Sequence, residues 1–144
     1  MTSTKLPPKS SPILKTLRFD ECAMRLLLDT HVFLWWITDN PRLGRDMRAQ
    51  IADFGNEVVL SVASAWEIEI KAGSGKLRID PDWKRLVEKN GFVWLPVLPR
   101  HTEFLRRLPP IHRDPFDRML VAQAMCERMP LLSCDPDVNA YFVD

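Results

Sequence analysis

Short apolar runs recur along the chain, and each is followed by a segment with helical periodicity. Because these runs are apolar at consecutive positions, they are typical of strands that are buried on both faces. Such strands alternating with helices predict an α/β fold in which helices cover both faces of a parallel sheet. The predicted strands are Arg25–Asp29, Val58–Leu60, Phe92–Leu95 and Leu131–Cys134.

Helical segments connect the predicted strands, and capping or helix-breaking residues mark their ends. Ser61 is a predicted N-cap, and the helix that it begins ends before Gly73. A later helix is predicted to begin at Pro81 and to end at Asn90, which a glycine follows. The predicted helices are His31–Thr38, Gly44–Phe54, Val62–Ala72, Pro81–Asn90, Arg100–Leu108 and Pro115–Arg128.

The first 23 residues differ in composition from the rest of the chain. They contain Pro7, Pro8 and Pro12 among scattered Ser, Thr and Lys residues, which predicts a flexible extension. An alternative is that the natural product begins at Met24, directly before the first strand, and that the extension is a start-site artefact. The predicted organisation is therefore an extension over residues 1–23 and one folded domain over residues 24–144.

The length and composition fit one globular domain, since the chain has 144 residues of which 46% are hydrophobic. The formal net charge is +1, with 20 basic and 19 acidic residues. The predicted extension contains four basic and two acidic residues, so it carries +2 and the remainder −1. A nucleic-acid-binding function would therefore require a local basic cluster rather than a basic domain.

Several classes of protein are excluded by what the sequence lacks. No apolar run approaches the roughly 20 residues of a membrane span, and no charged-then-apolar signal segment opens the chain. We therefore expect a cytoplasmic protein that does not bind membranes. Cys22, Cys126 and Cys134 are odd in number and never form a C-x-x-C pair, so we expect free thiols rather than disulfides or a structural zinc site.

Aspartates follow the predicted strands at positions where open parallel sheets bind ligands. Asp29 follows the first strand and Asp135 the fourth. Each has a structural alternative: Asp29 and Thr30 could cap a helix or complete a turn, and Asp135 precedes a proline, as N-caps often do. Asp114 also precedes a proline and is predicted to be a cap.

Two further acids lie within predicted helices. Asp117 shares a helical face with Leu120 and Val121, so its carboxylate heads an apolar, inward-facing stripe. This favours a functional role, because the helix dipole favours an acid in the first turn without requiring it to face inward. Glu67 borders the apolar stripe of its own helix, but it also precedes Lys71 by four residues, the spacing of a solvated ion pair. Both interpretations of Glu67 stay open.

If these acids converge, their mutual repulsion predicts a bound cation. Two carboxylates about 5 Å apart repel by roughly 3 kcal/mol at an effective dielectric near 20. Oxygen ligands without cysteine or clustered histidine suit Mg²⁺ or Mn²⁺ rather than zinc. Such ions polarise a phosphoryl oxygen and activate water in phosphodiester hydrolysis, which requires no nucleophilic side chain.

Four blocks of sequence resemble those of PIN-domain proteins, in the same order. They are RLLLDTHVFLWW at 25–36, SVASAWEIEIKAGSGKL at 61–77, HRDPFDRMLVAQA at 112–124 and LLSCDPDV at 131–138. The likeness extends over nearly all of residues 24–144, and within the family it is to the VapC-type ribonuclease toxins of bacterial toxin–antitoxin pairs. The resemblance implies an α/β, PIN-like three-layer sandwich with a central, mostly parallel sheet and helices on both faces.

The resemblance also implies the site residues and the partners. Four acids would bind Mg²⁺ or Mn²⁺ and catalyse RNA cleavage, namely Asp29, Glu67, Asp117 and Asp135. Thr30 and Asp114 would support them. The implied partners are an RNA substrate, a cognate VapB-like antitoxin and a second copy of the chain in a homodimer.

Basic residues flank the acidic block and are candidates for contacts with RNA phosphates. They are His112, Arg113 and Arg118, with a weaker case for Lys71, Lys76 and Arg78. The structural alternative is that these are solvated basic residues near the ends of helices.

The predicted function is a metal-dependent endoribonuclease that is the toxin of a toxin–antitoxin pair. The alternative is a non-catalytic RNA-binding or scaffolding α/β module in which the same acids only cap helices. A second enzyme class, the aspartyl-phosphate hydrolases and receiver domains, also places an aspartate after the first strand. Asp29 lacks the second aspartate at i+2 that such a hydrolase requires, and Asp20–Glu21 is only a formal candidate for a receiver's acid pair.

Overall fold

A computed structural model describes residues 24–143, which form four strands and seven helices. The strands are β1 (Arg25–Leu28), β2 (Glu57–Ser61), β3 (Val93–Leu95) and β4 (Leu131–Leu132). The helices are α1 (Thr30–Ile37), α2 (Arg45–Ala52), α3 (Val62–Gly73), α4 (Arg85–Lys89), α5 (Pro99–Phe104), α6 (Pro115–Glu127) and α7 (Pro136–Asn139). Single 3₁₀ turns follow α5 and α7. The extension predicted over residues 1–23, including Cys22, lies outside the described residues.

The four strands form one parallel sheet in the order β3-β2-β1-β4. Leu26 lies opposite Val58, and Leu28 lies opposite Leu132. Parallel neighbours require crossover connections, which the helices provide. The carboxyl ends of β1, β2 and β4 therefore meet at one edge of the sheet, beside the first turns of the helices that follow them.

Helices cover both faces of the sheet, which confirms the predicted three-layer α/β architecture. Leu26 and Leu28 belong to a core that includes buried residues of α1, α2 and α3, whereas Leu27 belongs to a second core formed mainly with α6. Successive strand residues point to opposite faces, so a strand between two helical layers must be apolar at every position. Each fully buried leucine stabilises the fold by about 1.5–3 kcal/mol.

Side-chain caps begin three of the helices; Ser61 and Asp114 were predicted as caps, and for Asp135 capping was one of two interpretations. The Ser61 hydroxyl accepts a hydrogen bond from the Ala63 amide at the start of α3. Asp114 accepts one from Phe116 at the start of α6, and Asp135 accepts one from the second residue of α7. Asp29 occupies the N-cap position of α1 but makes no side-chain capping bond. Its carboxylate accepts a hydrogen bond from the Ser133 hydroxyl instead.

Most predicted boundaries differ from the structure by one or two residues, and the helix predicted to reach Leu108 ends at Phe104, where a 3₁₀ turn follows. Two further differences have an identifiable cause. The helix predicted from Pro81 begins only at Arg85, because the Asp80 side chain accepts a hydrogen bond from the Asp82 amide and forms a turn first. The strand predicted to reach Cys134 ends at Leu132, because its partner β1 ends at the opposite residue, Leu28, just before α1 begins. Cys126 and Cys134 are free thiols. No helix within residues 24–143 combines the length and apolar character that crossing a bilayer requires.

Candidate active site

Asp29 leaves the end of β1 with a buried carboxylate, of which only one oxygen has a partner. The residue is 4% exposed, and its Oδ2 accepts a 2.6 Å hydrogen bond from the Ser133 hydroxyl. Its Oδ1 is buried and has no hydrogen-bond partner. Burial raises the pKa of the Asp29 carboxyl above its usual value. The neighbouring Thr30 hydroxyl donates to Ser64 Oγ at 2.8 Å and joins α1 to α3.

Glu67 lies on α3, where it forms the ion pair with Lys71 that one interpretation predicted and is also buried, as the other interpretation requires. Its Oε2 accepts a 2.7 Å hydrogen bond from Lys71 Nζ, so the predicted i,i+4 pair exists. Glu67 is nevertheless only 2% exposed, and its Oε1 is buried without a partner. The hydrogen bond to Glu67 raises the pKa of Lys71. Glu67 is therefore buried, whereas the Lys71 side chain is 38% exposed and reaches it from the surface.

Asp117 lies in the first turn of α6 and is the acid most strongly perturbed by its surroundings. Burial raises the pKa of its carboxyl to about 7, and the negative charges of Asp29, Asp114 and Glu67 act in the same direction. The apolar stripe predicted behind it is present, since Leu120 is buried. Asp117, Asp29 and Glu67 therefore share one electrostatic environment, although they come from three different elements.

His112 precedes α6 and lies between two of the acids. Its Nε2 is 3.2 Å from Asp135 Oδ2, with hydrogen-bond geometry, and 3.1 Å from Asp117 Oδ2. Possible ligand atoms of His112, Asp117 and Asp135 lie within 4.8 Å of one another, a group to which Asp29 and Glu67 do not belong. The other oxygen of Asp135 accepts the capping bond from Asp137, so both of its oxygens have donors.

A sequence model of the PIN domain matches residues 26–141. The chain belongs to the PIN domain family. Proteins of this family are generally metal-dependent nucleases. The fold is similar to that of a chain in the crystal structure of VapBC2 from Rickettsia felis bound to a DNA fragment from their promoter. The TM-score is 0.58 and the identity 12%, over 82% of this chain and 93% of that one. No curated protein matches the sequence.

The acids of this PIN domain fit a divalent cation. A buried oxygen that lacks a hydrogen bond destabilises a fold by about 1–3 kcal/mol, and more when it is charged. Asp29 Oδ1 and Glu67 Oε1 are two such atoms. Mg²⁺ and Mn²⁺ prefer hard oxygen ligands of this kind, and a bound cation would offset the charge repulsion around Asp117. Lys71 and Ser133 satisfy only the other oxygens of Glu67 and Asp29.

A basic groove adjoins the acids of the PIN domain. Its volume is about 470 Å³, and Thr30 and Lys71 line it at the side of the acids. Lys76 and Arg78 are exposed at its rim, and Trp35 forms part of its wall. The groove thus combines positive charge with an aromatic surface, the combination that binds single-stranded nucleic acid.

The remaining basic candidates differ in their surroundings. Arg118 donates to Pro109 O at 3.1 Å and to Tyr141 Oη at 3.0 Å, so it joins α6 to two neighbouring segments. Arg113 is exposed, and its contact with RNA stays a prediction. The ring of His112 lies beside Asp117 and Asp135, and its contact with RNA also stays a prediction. Ser133 was not predicted, since its bond to Asp29 spans 104 residues of sequence.

Proposed function

We propose that this PIN domain is an endoribonuclease that hydrolyses RNA with the help of Mg²⁺ or Mn²⁺. The observation that carries the proposal is the pair of buried, unpartnered oxygens on Asp29 and Glu67, beside an Asp117 carboxyl whose pKa is about 7. Folded proteins retain so unfavourable a group of acids when function requires it. Helix capping explains Asp114 and Asp135 but does not explain Asp29, Glu67 or Asp117.

The residues of the site have different roles in the proposed reaction. A divalent ion such as Mg²⁺ or Mn²⁺, held by these acids, would supply Lewis-acid chemistry: polarisation of a phosphoryl oxygen and a lowered pKa of a water molecule. Asp29, Glu67, Asp117 and Asp135 would hold the ion, since Asp29 and Glu67 each keep a buried oxygen without a protein partner and the charges of the acids raise the pKa of Asp117. Ser133 and Lys71 orient Asp29 and Glu67 by hydrogen-bonding their second oxygens.

The basic groove supports RNA as the substrate. Lys76 and Arg78 lie where they can neutralise phosphates of a strand that passes the acids, and Trp35 offers a surface on which a base can stack. Because the charge of the whole chain is only +1, binding depends on this local cluster. Thr30 and Lys71 line the groove and adjoin Asp29 and Glu67, so one end of the groove lies beside these acids.

A VapB-like antitoxin and a second copy of the chain are the proposed protein partners, in the cytoplasm. The similar fold in a VapBC2 structure supports a role as the toxin of such a pair. The surface of α3 also supports protein partners, since Trp66 is 64% exposed, with Val62 and Ile70 exposed on the same helix. Exposed apolar residues grouped in this way favour a protein contact.

The decisive experiment measures cleavage of a fluorogenic RNA and of a DNA of the same sequence. We expect RNA cleavage with Mg²⁺ or Mn²⁺, none with EDTA, and at least a hundredfold loss in Asp29→Asn, whose circular dichroism stays that of the wild type. Glu103→Gln removes an exposed acid of α5 and is the matched control. Cleavage by Asp29→Asn, or cleavage in EDTA, contradicts the proposal. If the protein binds RNA but neither cleaves it nor binds Mg²⁺ or Mn²⁺ at millimolar concentration, the non-catalytic module is favoured.

A further inference from the structure

His112 makes contacts that neither RNA binding nor helix capping explains. Its ring is 18% exposed, and its Nε2 faces the Oδ2 atoms of both Asp117 and Asp135. One ring nitrogen therefore lies between two carboxylates whose charges otherwise repel each other. A divalent cation bound to both acids would occupy the same kind of position.

The other ring nitrogen identifies where the proton of the neutral ring resides. His112 Nδ1 accepts a 3.1 Å hydrogen bond from the Asp114 amide. An acceptor nitrogen carries no hydrogen, so the neutral ring has its hydrogen on Nε2 and donates it to the acids. A ring in this tautomer has no lone pair on Nε2 for a metal. His112 thus satisfies the acids as a donor and is not arranged as a metal ligand.

We propose that His112 is a displaceable substitute for the cation, which holds Asp117 and Asp135 together in the metal-free protein and withdraws when the ion binds. The proposal rests on the proposed function only in that these acids take a divalent cation. The Nε2–H group and the ion are both positive toward the same two oxygens, so they compete for them. His112 is a positioning residue by this account, since it acts on the acids and not on the RNA.

The surroundings of His112 allow the ring to move while its backbone stays in place. The residue belongs to the irregular segment 108–114, outside any helix or strand. Its backbone amide donates a 2.8 Å hydrogen bond to Tyr141 Oη, and the same hydroxyl accepts from Arg118. Rotation about the side-chain bonds therefore withdraws the ring and releases the Asp114 amide, while the bond from the His112 amide to Tyr141 stays in place. The ring is also partly exposed, so it can move toward solvent.

The test measures binding of Mn²⁺ and Mg²⁺ by titration calorimetry, without RNA. His112→Ala removes the competitor, and we expect its Kd for Mn²⁺ to fall about tenfold, an order of magnitude typical of losing one hydrogen bond to a charged group. The metal-free His112→Ala protein should melt at a lower temperature than the wild type, and saturating Mn²⁺ should remove that difference. His112→Gln keeps a side-chain N–H donor, so its Kd should return toward that of the wild type.

Lys89→Ala removes an exposed charge on α4 and serves as the control. A direct observation comes from the ¹⁵N signals of the His112 ring, which should change when diamagnetic Mg²⁺ is added. Weaker Mn²⁺ binding by His112→Ala would show that the ring is a ligand, and unchanged binding would show that it does not compete; either overturns the proposal. If the wild type binds no ion at millimolar concentration, the proposed function fails together with this proposal. If the wild type binds the ion and only the His112→Ala result is contrary, this proposal alone fails.

Discussion

Replacing Asp117 by asparagine should stabilise the metal-free protein while it abolishes activity. In the folded protein the pKa of this carboxyl rises to about 7 from a usual value of 3.8, because burial and the charges of Asp29, Asp114 and Glu67 disfavour its ionised form. Between those two pH values the folded state holds a proton that the unfolded state has lost. Stability therefore falls as the pH rises through this window, and it is lowest above pH 7.

The magnitude follows from the size of that shift. Each pKa unit corresponds to about 1.4 kcal/mol, so a shift of about three units makes ionised Asp117 destabilising by up to about 4 kcal/mol at pH 8. Asparagine is neutral and similar in shape, but it loses the attraction between Asp117 and His112, which are 3.1 Å apart. We therefore expect Asp117→Asn to be more stable than the wild type by about 2–4 kcal/mol at pH 8.

Urea unfolding in EDTA at pH 8 and at pH 5 tests this expectation. At pH 5 the folded wild type is already protonated at Asp117, so the advantage of Asp117→Asn should be less than half of its value at pH 8. Glu103→Gln removes an exposed acid that lies on α5 and should leave the free energy of unfolding nearly unchanged at both pH values. A less stable Asp117→Asn protein at pH 8, or a gain that does not depend on pH, would refute the reasoning.

Three other predictions follow from the same site. Adding Mg²⁺ should raise the melting temperature of the wild type but not of Asp29→Asn, with a stabilisation of the wild type by about 2.7 kcal/mol at a concentration one hundred times the Kd. Scanning calorimetry measures the melting temperatures, and an equal shift in both proteins would count against Asp29 as a ligand. The double substitution Lys76→Ala/Arg78→Ala at the groove rim should raise the KM for RNA at least threefold and leave kcat unchanged, and the salt dependence of binding should fall by about two phosphate contacts. An unaltered KM would exclude the groove as the RNA-binding surface, and Lys89→Ala is the control. Thr30→Val removes the hydrogen bond to Ser64 and leaves a buried hydroxyl unpaired, so we expect a loss of about 1–3 kcal/mol in unfolding experiments; Ser64→Ala should cost a similar amount, and the double substitution less than the sum of the two.

The sheet was predictable because its signal is local. Leu26, Leu27 and Leu28 are apolar in succession, and only a strand covered on both faces buries all three. Caps were predictable for the same reason, since Asp114 and the proline after it specify the start of α6 by themselves. The start of α4 was not, because a hydrogen bond from the Asp82 amide to the Asp80 side chain competes with the helix that Pro81 would begin.

The candidate site was predictable only in part, because its contacts join distant segments. The spacing of Glu67 and Lys71 is the same for a surface pair and a buried one, and only the surrounding elements decide between them. His112 lies in an irregular segment, where no periodicity indicates the direction of a side chain. Ser133 reaches Asp29 from β4, across the sheet, so its partner could be identified only once the strand order was known.

The order of the strands also determines when the site can exist during synthesis. β1 pairs with β4, and Ser133 holds an acid that was translated 104 residues earlier. Tyr141, later still, accepts the hydrogen bond from the His112 amide. A nascent chain that has not yet released these residues can build α1, α2 and α3 but not the assembled group of acids. During synthesis the candidate site therefore assembles only after Ser133 and Tyr141 have left the ribosome.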